Sequence, residues 1–106
     1  MKRIIVKYKE LALGELTYNN GYFCYNVFEE NIKTAYQNAY PIMLYKVDKD
    51  FIEAKLPLSL DNLIPDEGTK LFESAQMQSQ DNDFEKLFKL AKLPLYDEGL
   101  YVEAQE

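Results

Sequence analysis

Neighbouring carboxylates are the side chains of this sequence best suited to chemistry. They occur as four pairs: Asp48/Asp50, Asp66/Glu67, Asp81/Asp83 and Asp97/Glu98. Two carboxylates can serve as acid and base only where their surroundings separate their pKa values. All four pairs lie in predicted turns or helix starts, where exposed acidic residues are common. We therefore expect no catalytic residue among them.

The residue types that the chain lacks exclude several other kinds of site. There is no His, which excludes a Ser-His-Asp triad, a Cys-His pair and imidazole metal ligands. The single Cys24 can form neither an intrachain disulfide nor a cysteine zinc site, and its apolar surroundings are typical of a buried thiol in a reducing cytoplasm. The Asp48–Asp50 segment lacks the glycine and the distal glutamate of a calcium loop, and no glycine-rich phosphate loop occurs. We expect a non-enzyme with no metal and no cofactor.

Composition indicates one domain spanning residues 1–106 that acts by binding. Hydrophobic residues make up 47% of the chain, including nine Tyr and six Phe, which is enough to form a packed core. The net charge of -6 disfavours direct binding to nucleic acid. No apolar run is long enough to span a membrane, and Lys7 and Lys9 interrupt the apolar start, so we expect neither a signal peptide nor a membrane anchor. The acidic residues concentrate in residues 61–106, which suggests a solvated surface or a partner with a basic face.

The first half of the chain has the pattern of a small antiparallel sheet. Alternating residues predict strands at 2–9 and 11–18, and an aromatic strand at 22–27 follows an Asn-Gly hairpin turn. Gly14 within the second strand suggests a bulge or a close backbone approach. A short helix is predicted over 28–38, then a strand at 42–47, a turn at 48–50, and either an edge strand or an irregular segment at 51–55. A last strand is predicted at 100–102.

The second half has helical signals. Ser59 is expected to cap a short turn, and Pro65 is expected to open the next helix, with Asp66 and Glu67 in its first turn. Asn82 and Glu85 form a capping-box pattern ahead of an apolar stripe. This stripe consists of Phe84, Leu87, Phe88 and Ala91. The predicted fold is α+β: a small antiparallel sheet of four to six strands with two main helices packed on one side.

Residues 56–68, with the sequence LPLSLDNLIPDEG, resemble the P-F-F-D-N-L-L-P-E-G signature of the HipA N-terminal subdomain. The order of elements is similar over roughly residues 4–100, including an L-x-G-x-L-like segment at 11–16, an Asn-Gly turn and a strand that starts at Pro41. Two departures are Ser59 and Leu60, which stand where that family has two phenylalanines.

The resemblance implies a function carried out in trans. HipA proteins are bacterial serine/threonine kinases, and this subdomain carries none of their catalytic residues. A free-standing copy resembles HipS, the antitoxin of HipB–HipS–HipT systems, which binds and neutralises the kinase HipT. A helix-turn-helix HipB-like protein is then a possible third component, and the location is cytoplasmic. The alternative is a structural or activating subunit that completes the N-lobe of a truncated HipA-like kinase.

The signature segment also supplies the candidate contact residues. Residues expected to contact the kinase are Leu58, Leu60, Asp61, Asn62 and Leu63. Within this segment we expect Leu60 to be a contact and Ile64 to belong to the core. For Asn62 a second interpretation stays open, in which its side chain bonds the backbone ends of the two helical turns.

Overall fold

The sheet begins as a three-stranded antiparallel meander. The computed structural model describes residues 1–94 and 99–106. Strand β1 spans Arg3–Tyr8, β2 Leu11–Asn19 and β3 Tyr22–Val27. A two-residue turn joins β2 to β3, in which Asn20 and Gly21 have φ values of 53° and 83°. Both residues therefore adopt the left-handed conformation that a tight hairpin requires, and the predicted turn is confirmed.

Two further strands extend the meander on opposite sides. Strand β4, Phe51–Glu53, pairs with β3, and β5, Leu100–Gln105, pairs with β1. All pairs are antiparallel, and the strand order is β4-β3-β2-β1-β5. This five-stranded sheet of the described residues confirms the predicted α+β class, the edge strand near residue 51 and the strand that follows Gly99.

Gly14 lies at a β-bulge, and its backbone lies close to Tyr25 and Asn26 on the neighbouring strand. The register of β1 against β2 shifts between Val6 and Lys7, which oppose Gly14 and Ala12. A Cβ atom on Gly14 would lie 2.6 Å from Cζ of Tyr25 and 2.7 Å from the backbone oxygen of Asn26. Because those distances are shorter than any van der Waals contact, only glycine fits there without displacing its neighbours.

Helix α1, Glu29–Gln37, follows β3 as predicted, but the segment after it is not the predicted strand. Residues 42–47 form a series of tight turns, in which the N–H of Val47 donates to the carbonyl oxygen of Ile42 at 3.4 Å. Ile42 and Val47 are both fully buried, so both ends of the segment return to the core. The chain between them reverses, which leaves Met43 and Leu44 exposed.

Two short helices correct the predictions for residues 56–77. Helix α2 is Leu58–Asp61 and begins directly after Pro57, so Ser59 is not its cap. Helix α3 is Lys70–Ser74, and its N-cap is Thr69, whose hydroxyl oxygen accepts from the N–H of Phe72 at 3.2 Å. Pro65 therefore does not open this helix, and Asp66 and Glu67 precede it. Gly68 has a φ of 86°, which a right-handed helix cannot contain.

Helix α4, Asp83–Ala91, agrees with its sequence signals. The side-chain oxygen of Asn82 accepts from the N–H of Glu85 at 2.8 Å, as predicted for the N-cap. The carboxylate of Glu85 pairs with Lys2 at 3.1 Å, so in the described residues only the Asn82 half of the predicted capping box forms. All four residues of the predicted apolar stripe are buried. The helix thereby covers β1 and β5 with one continuous apolar face.

One core lies between the helices and a single face of the sheet. Alternate strand residues supply it, among them Ile4, Leu16 and Tyr25, and the helices add Ile32 and Phe88. The opposite face mixes charged side chains with two buried ones, Ile5 and Tyr101. It carries two cross-strand ion pairs, Arg3–Glu15 at 3.0 Å and Lys7–Glu103 at 2.9 Å. Helices α1 and α4, the longest in the described residues, both contribute to this core.

Candidate protein-binding surface

The five residues predicted to contact a partner begin in α2 and end two residues after it, and the structure separates them by exposure. Leu58 is 72% exposed, and Asp61 and Asn62 are exposed as well. Leu63 is half-buried against the core. Leu60 is fully buried among core residues. The expectation that Leu60 is a contact is therefore wrong, and Ile64, expected in the core, is only half-buried against it.

Asn62 does not hold the two helical turns through its side chain. It is the C-cap of α2, and its backbone N–H donates to the carbonyl oxygen of Leu58 at 2.9 Å. Within the described residues its exposed amide makes no side-chain hydrogen bond. The second interpretation of Asn62 is therefore not supported, and its amide is free to meet a partner.

Two exposed residues beside α2 were not predicted from the sequence. Met43 is 64% exposed and Leu44 is 83% exposed, both in the 42–47 turn. The hydroxyl of Ser59 donates to the carbonyl oxygen of Tyr45 at 2.6 Å, which ties this turn to α2. We call Met43, Leu44 and Leu58 the apolar patch. No local signal marks it, because a short continuous apolar run is typical of a buried segment.

One buried and one exposed hydrogen bond hold the 42–47 turn in place. The hydroxyl of Tyr25 donates to the carbonyl oxygen of Val47 at 2.8 Å, beneath the turn. The hydroxyl of Tyr36 hydrogen-bonds the carboxylate of Asp48 just after it. The apolar patch is therefore presented by a segment that is fixed before any partner binds, which lowers the entropy cost of association.

The same contacts alter the ionisation of both tyrosines. Burial raises the pKa of Tyr25 above its ordinary value, and the negative charges of Asp48 and Asp50 raise it further. The hydrogen bond to Asp48 raises the pKa of Tyr36. Both hydroxyls therefore stay protonated well beyond neutral pH, and both keep donating to their acceptors.

Two hollows near α2 carry charges of both signs. Asp61, Asp66 and Glu67 line one shallow hollow together with Lys86. Met43 and Pro57 line a groove that has three lysines and three acidic residues, Asp48, Asp50 and Glu53. The first hollow is therefore mainly acidic, and the charges of the second balance.

Three carboxylates from the acidic pairs of the sequence, Asp48, Asp50 and Asp81, have structural contacts. Asp48 bonds Tyr36, and Asp50 accepts from the N–H of Val27 at 2.8 Å. Asp81 accepts from the N–H of Gln78 and pairs with Lys89 at 2.6 Å. The hydrogen bond from Lys89 lowers the pKa of Asp81, and the Gln78 N–H adds to this. The pair Asp97/Glu98 lies outside the described residues.

Searches for two other kinds of feature found none in the described parts of the chain. Across residues 1–94 and 99–106, no three His, Cys, Asp or Glu side chains are grouped closely enough to hold a metal ion. No helix in those ranges is both long and apolar enough to cross a bilayer.

Comparison with known proteins does not identify the chain. No protein-family model, no curated protein and no solved structure matches it. The structure therefore defines the class, an α+β domain with a five-stranded antiparallel sheet in its described residues, and the resemblance to the HipA N-terminal subdomain stays a prediction.

Proposed function

We propose that this chain is a non-catalytic antitoxin-like protein that binds a HipT/HipA-type serine/threonine kinase in trans and neutralises it in the bacterial cytoplasm. The proposal rests on the resemblance of residues 56–68 to the HipA N-terminal subdomain. The single structural observation that carries it is the apolar patch, because Leu58 from that segment is exposed on a helix that a hydrogen bond ties to the turn exposing Met43 and Leu44.

The apolar patch has the properties of a binding surface. Three large apolar side chains on two segments joined by a hydrogen bond are costly to leave in water, and a partner would remove that cost. The segments are fixed by buried contacts, so little order has to be gained on binding. Asp61 and Asn62 lie beside the patch and would supply polar contacts at its rim.

The first experiment is copurification with a HipT/HipA-type kinase from the same genome, together with rescue of growth when the two are co-expressed. We expect a stable complex and restored growth. An adjacent HipB-like helix-turn-helix protein is expected to join a ternary complex. If the kinase neither copurifies nor loses toxicity, the proposed function is wrong.

The direction of the effect on the kinase needs its own measurement. Titration of this chain into the purified kinase should lower phosphorylation of a protein substrate. A rise in activity would overturn neutralisation and favour the alternative, a subunit that completes the kinase N-lobe.

The surface is tested by Leu58→Arg, with Ile52→Arg as the matched control. Leu58 and Ile52 are 72% and 71% exposed, so either substitution should leave the free energy of unfolding within about 0.5 kcal/mol of the parent. We expect Leu58→Arg to weaken kinase binding at least tenfold, or about 1.4 kcal/mol, and Ile52→Arg to leave it unchanged. Parental affinity in a folded Leu58→Arg variant would show that the contact surface lies elsewhere.

A further inference from the structure

Helix α2 turns one side to solvent, and that side carries both apolar and polar groups. Its C-cap, Asn62, has helical backbone angles, so the residues three and four positions after Leu58 lie on the same side of the helix as Leu58. These residues are Asp61 and Asn62, and all three side chains are exposed. Leu60, on the other side of the helix, is fully buried.

The outward side of α2 continues into a hollow of about 600 Å³, which Asp61 and Asn62 also line. The charged groups of this hollow are the carboxylates of Asp61, Asp66 and Glu67 and the ammonium group of Lys86. Three negative charges against one positive charge leave a net charge of -2, and we call this feature the acidic hollow. The local charge has the same sign as that of the whole chain, which is -6.

The three carboxylates of the acidic hollow have no internal counter-charge in contact with them. All three are exposed, and within residues 1–94 and 99–106 none of them takes part in an ion pair or a side-chain hydrogen bond. The ammonium group of Lys86 lies over the ring of Phe72, 6.0 Å from its centroid. Because like charges on one surface repel each other, a positively charged partner would lower the electrostatic energy here.

The acidic hollow also has an apolar part, lined by Ile64, Pro65 and Phe72. Phe72 belongs to the core, and Ile64 is half-buried against it. Together with the exposed Leu58, these side chains offer apolar contact next to the carboxylates. The surface therefore fits a segment in which basic and apolar side chains are combined.

We propose that the outward side of α2 and the acidic hollow bind a basic segment of the protein partner, with lysine or arginine side chains on Asp61, Asp66 and Glu67 and one apolar side chain against Leu58. The inference names the chemistry of the partner's contact segment, and it rests on the proposed function only for the identity of that partner.

Charge and spacing favour this occupant over three others. A second copy docked by two-fold symmetry would set the same carboxylates against each other, and a nucleic acid would bring further negative charge. A single metal ion is disfavoured because no three acidic side chains of the described residues are grouped closely enough to hold one. Basic side chains spread along a segment can each reach a different carboxylate.

The charge preference is tested first with a model segment. The probe is a short rhodamine-labelled peptide of alternating lysine and leucine, and its matched control has glutamate in place of each lysine. We expect fluorescence anisotropy to show that the basic peptide binds at least tenfold tighter than the acidic one, and that its binding weakens as salt is raised. Equal binding of the two peptides would overturn the inference.

The location is tested by removing the carboxylate charges. The variant Asp61→Asn/Asp66→Asn/Glu67→Gln should weaken binding of the basic peptide at least tenfold. Circular dichroism confirms that the variant folds. A folded variant with parental affinity would show that the peptide binds elsewhere.

A matched control separates the acidic hollow from the net charge of the chain. Glu29→Gln/Glu53→Gln/Glu106→Gln changes the net charge equally at exposed sites that do not line the hollow, and it should keep most of the affinity. Equal losses in the two triple variants would mean that net charge and not the hollow attracts the peptide, which would overturn the inference.

The apolar contact is tested by Leu58→Ala, with Ile52→Ala as its control at nearly the same exposure. We expect Leu58→Ala to weaken binding of the basic peptide at least threefold and Ile52→Ala to leave it unchanged. Equal affinities of the two variants would remove Leu58 from the proposed contact.

The hollow variant also separates this inference from the proposed function. If the kinase copurifies equally with the Asp61→Asn/Asp66→Asn/Glu67→Gln variant and with the parent, the inference fails while the proposed function stands. If the basic peptide binds as expected but no kinase binds the parent protein, the chemistry of the surface stands and the proposed function fails.

Discussion

Leu58 and Leu60 lie two positions apart in α2 and have opposite environments. The first is 72% exposed and the second fully buried. A helix of four residues is too short to show a periodic apolar pattern, so the sequence could not tell which leucine faces the core. The direction of the chain as it leaves Pro57 decides this, and it is set by packing against the rest of the molecule. Leu60→Arg would therefore bury a charge and unfold the protein, and it cannot test the binding surface.

Replacing Gly14 should destabilise the sheet through contact alone. Gly14→Ala would place a Cβ atom 2.6 Å from Tyr25 and 2.7 Å from the backbone of Asn26, which must then move. We expect the free energy of unfolding in urea to fall by about 3 kcal/mol. Gly68→Ala is the control, because its Cβ would meet nothing within 4 Å and only its positive φ of 86° costs about 1 kcal/mol. Equal losses would contradict the role of the close approach.

Tyr25 should make the protein less stable at alkaline pH. Because burial raises its pKa in the folded state, its neutral form is favoured there. Below about pH 10, the ordinary value for tyrosine, both folded and unfolded chains hold the proton, and the full contribution is present. Above that pH the unfolded chain ionises first, so stability falls until the folded pKa is reached. Denaturation measured from neutral to alkaline pH should show this fall.

Tyr25→Phe isolates the effect. The variant loses the hydrogen bond to Val47 and should be about 1–2 kcal/mol less stable at neutral pH. Its alkaline loss of stability should be smaller than that of the parent. Tyr36→Phe is the comparison variant, because the pKa of Tyr36 is also raised but its side chain is exposed and bonds Asp48. If the free energy of unfolding of Tyr25→Phe fell as steeply with alkaline pH as that of the parent, ionisation of Tyr25 would not be the cause.

At the scale of elements, local signals with a defined geometry predicted structure well. The Asn20-Gly21 turn and the Asn82 cap depend on the conformations and hydrogen bonds of a few adjacent residues, so their sequences carry the information. The 42–47 segment has no such signal. Its apolar run was compatible with a strand, and only the burial of Ile42 and Val47 in the core makes the chain turn there.

The cap of α4 provides a test at this scale. Asn82→Ala removes the acceptor for the N–H of Glu85 and should lower the free energy of unfolding by about 1 kcal/mol. Asn82→Ser keeps a capping oxygen and should retain most of the stability. Chemical denaturation of the three proteins measures both effects, and a fully stable Asn82→Ala variant would show that the cap contributes nothing.

At the scale of the whole molecule, the sheet joins two distant parts of the sequence. β5 pairs along the whole of β1, with Val6 opposite Val102, and α4 packs against both strands. The core is therefore closed by residues nearly a full chain length apart. Local stability of any one segment depends on this closure.

A charged side chain buried where β5 pairs with β1 should unfold the whole protein. Val102 is 4% exposed, so Val102→Asp would bury a carboxylate among apolar side chains and cost at least about 3 kcal/mol. Near-ultraviolet circular dichroism should show loss of tertiary packing. Gln105→Asp, at the exposed end of the same strand, should change stability by no more than about 0.5 kcal/mol. A Val102→Asp variant that still folds cooperatively would contradict the view that the pairing of β5 with β1 completes the core.

The sequence by itself determined the fold class, the meander, the hairpin turn and the last helix, because each follows from periodicity or from hydrogen bonds between near neighbours. It also located the segment at residues 56–68 on which the proposed partner rests. Only the tertiary structure decided that Leu60 is buried and that Met43 and Leu44 are exposed on a turn tied to α2. Those facts depend on which segments meet across the core, and no local pattern encodes such long-range contacts.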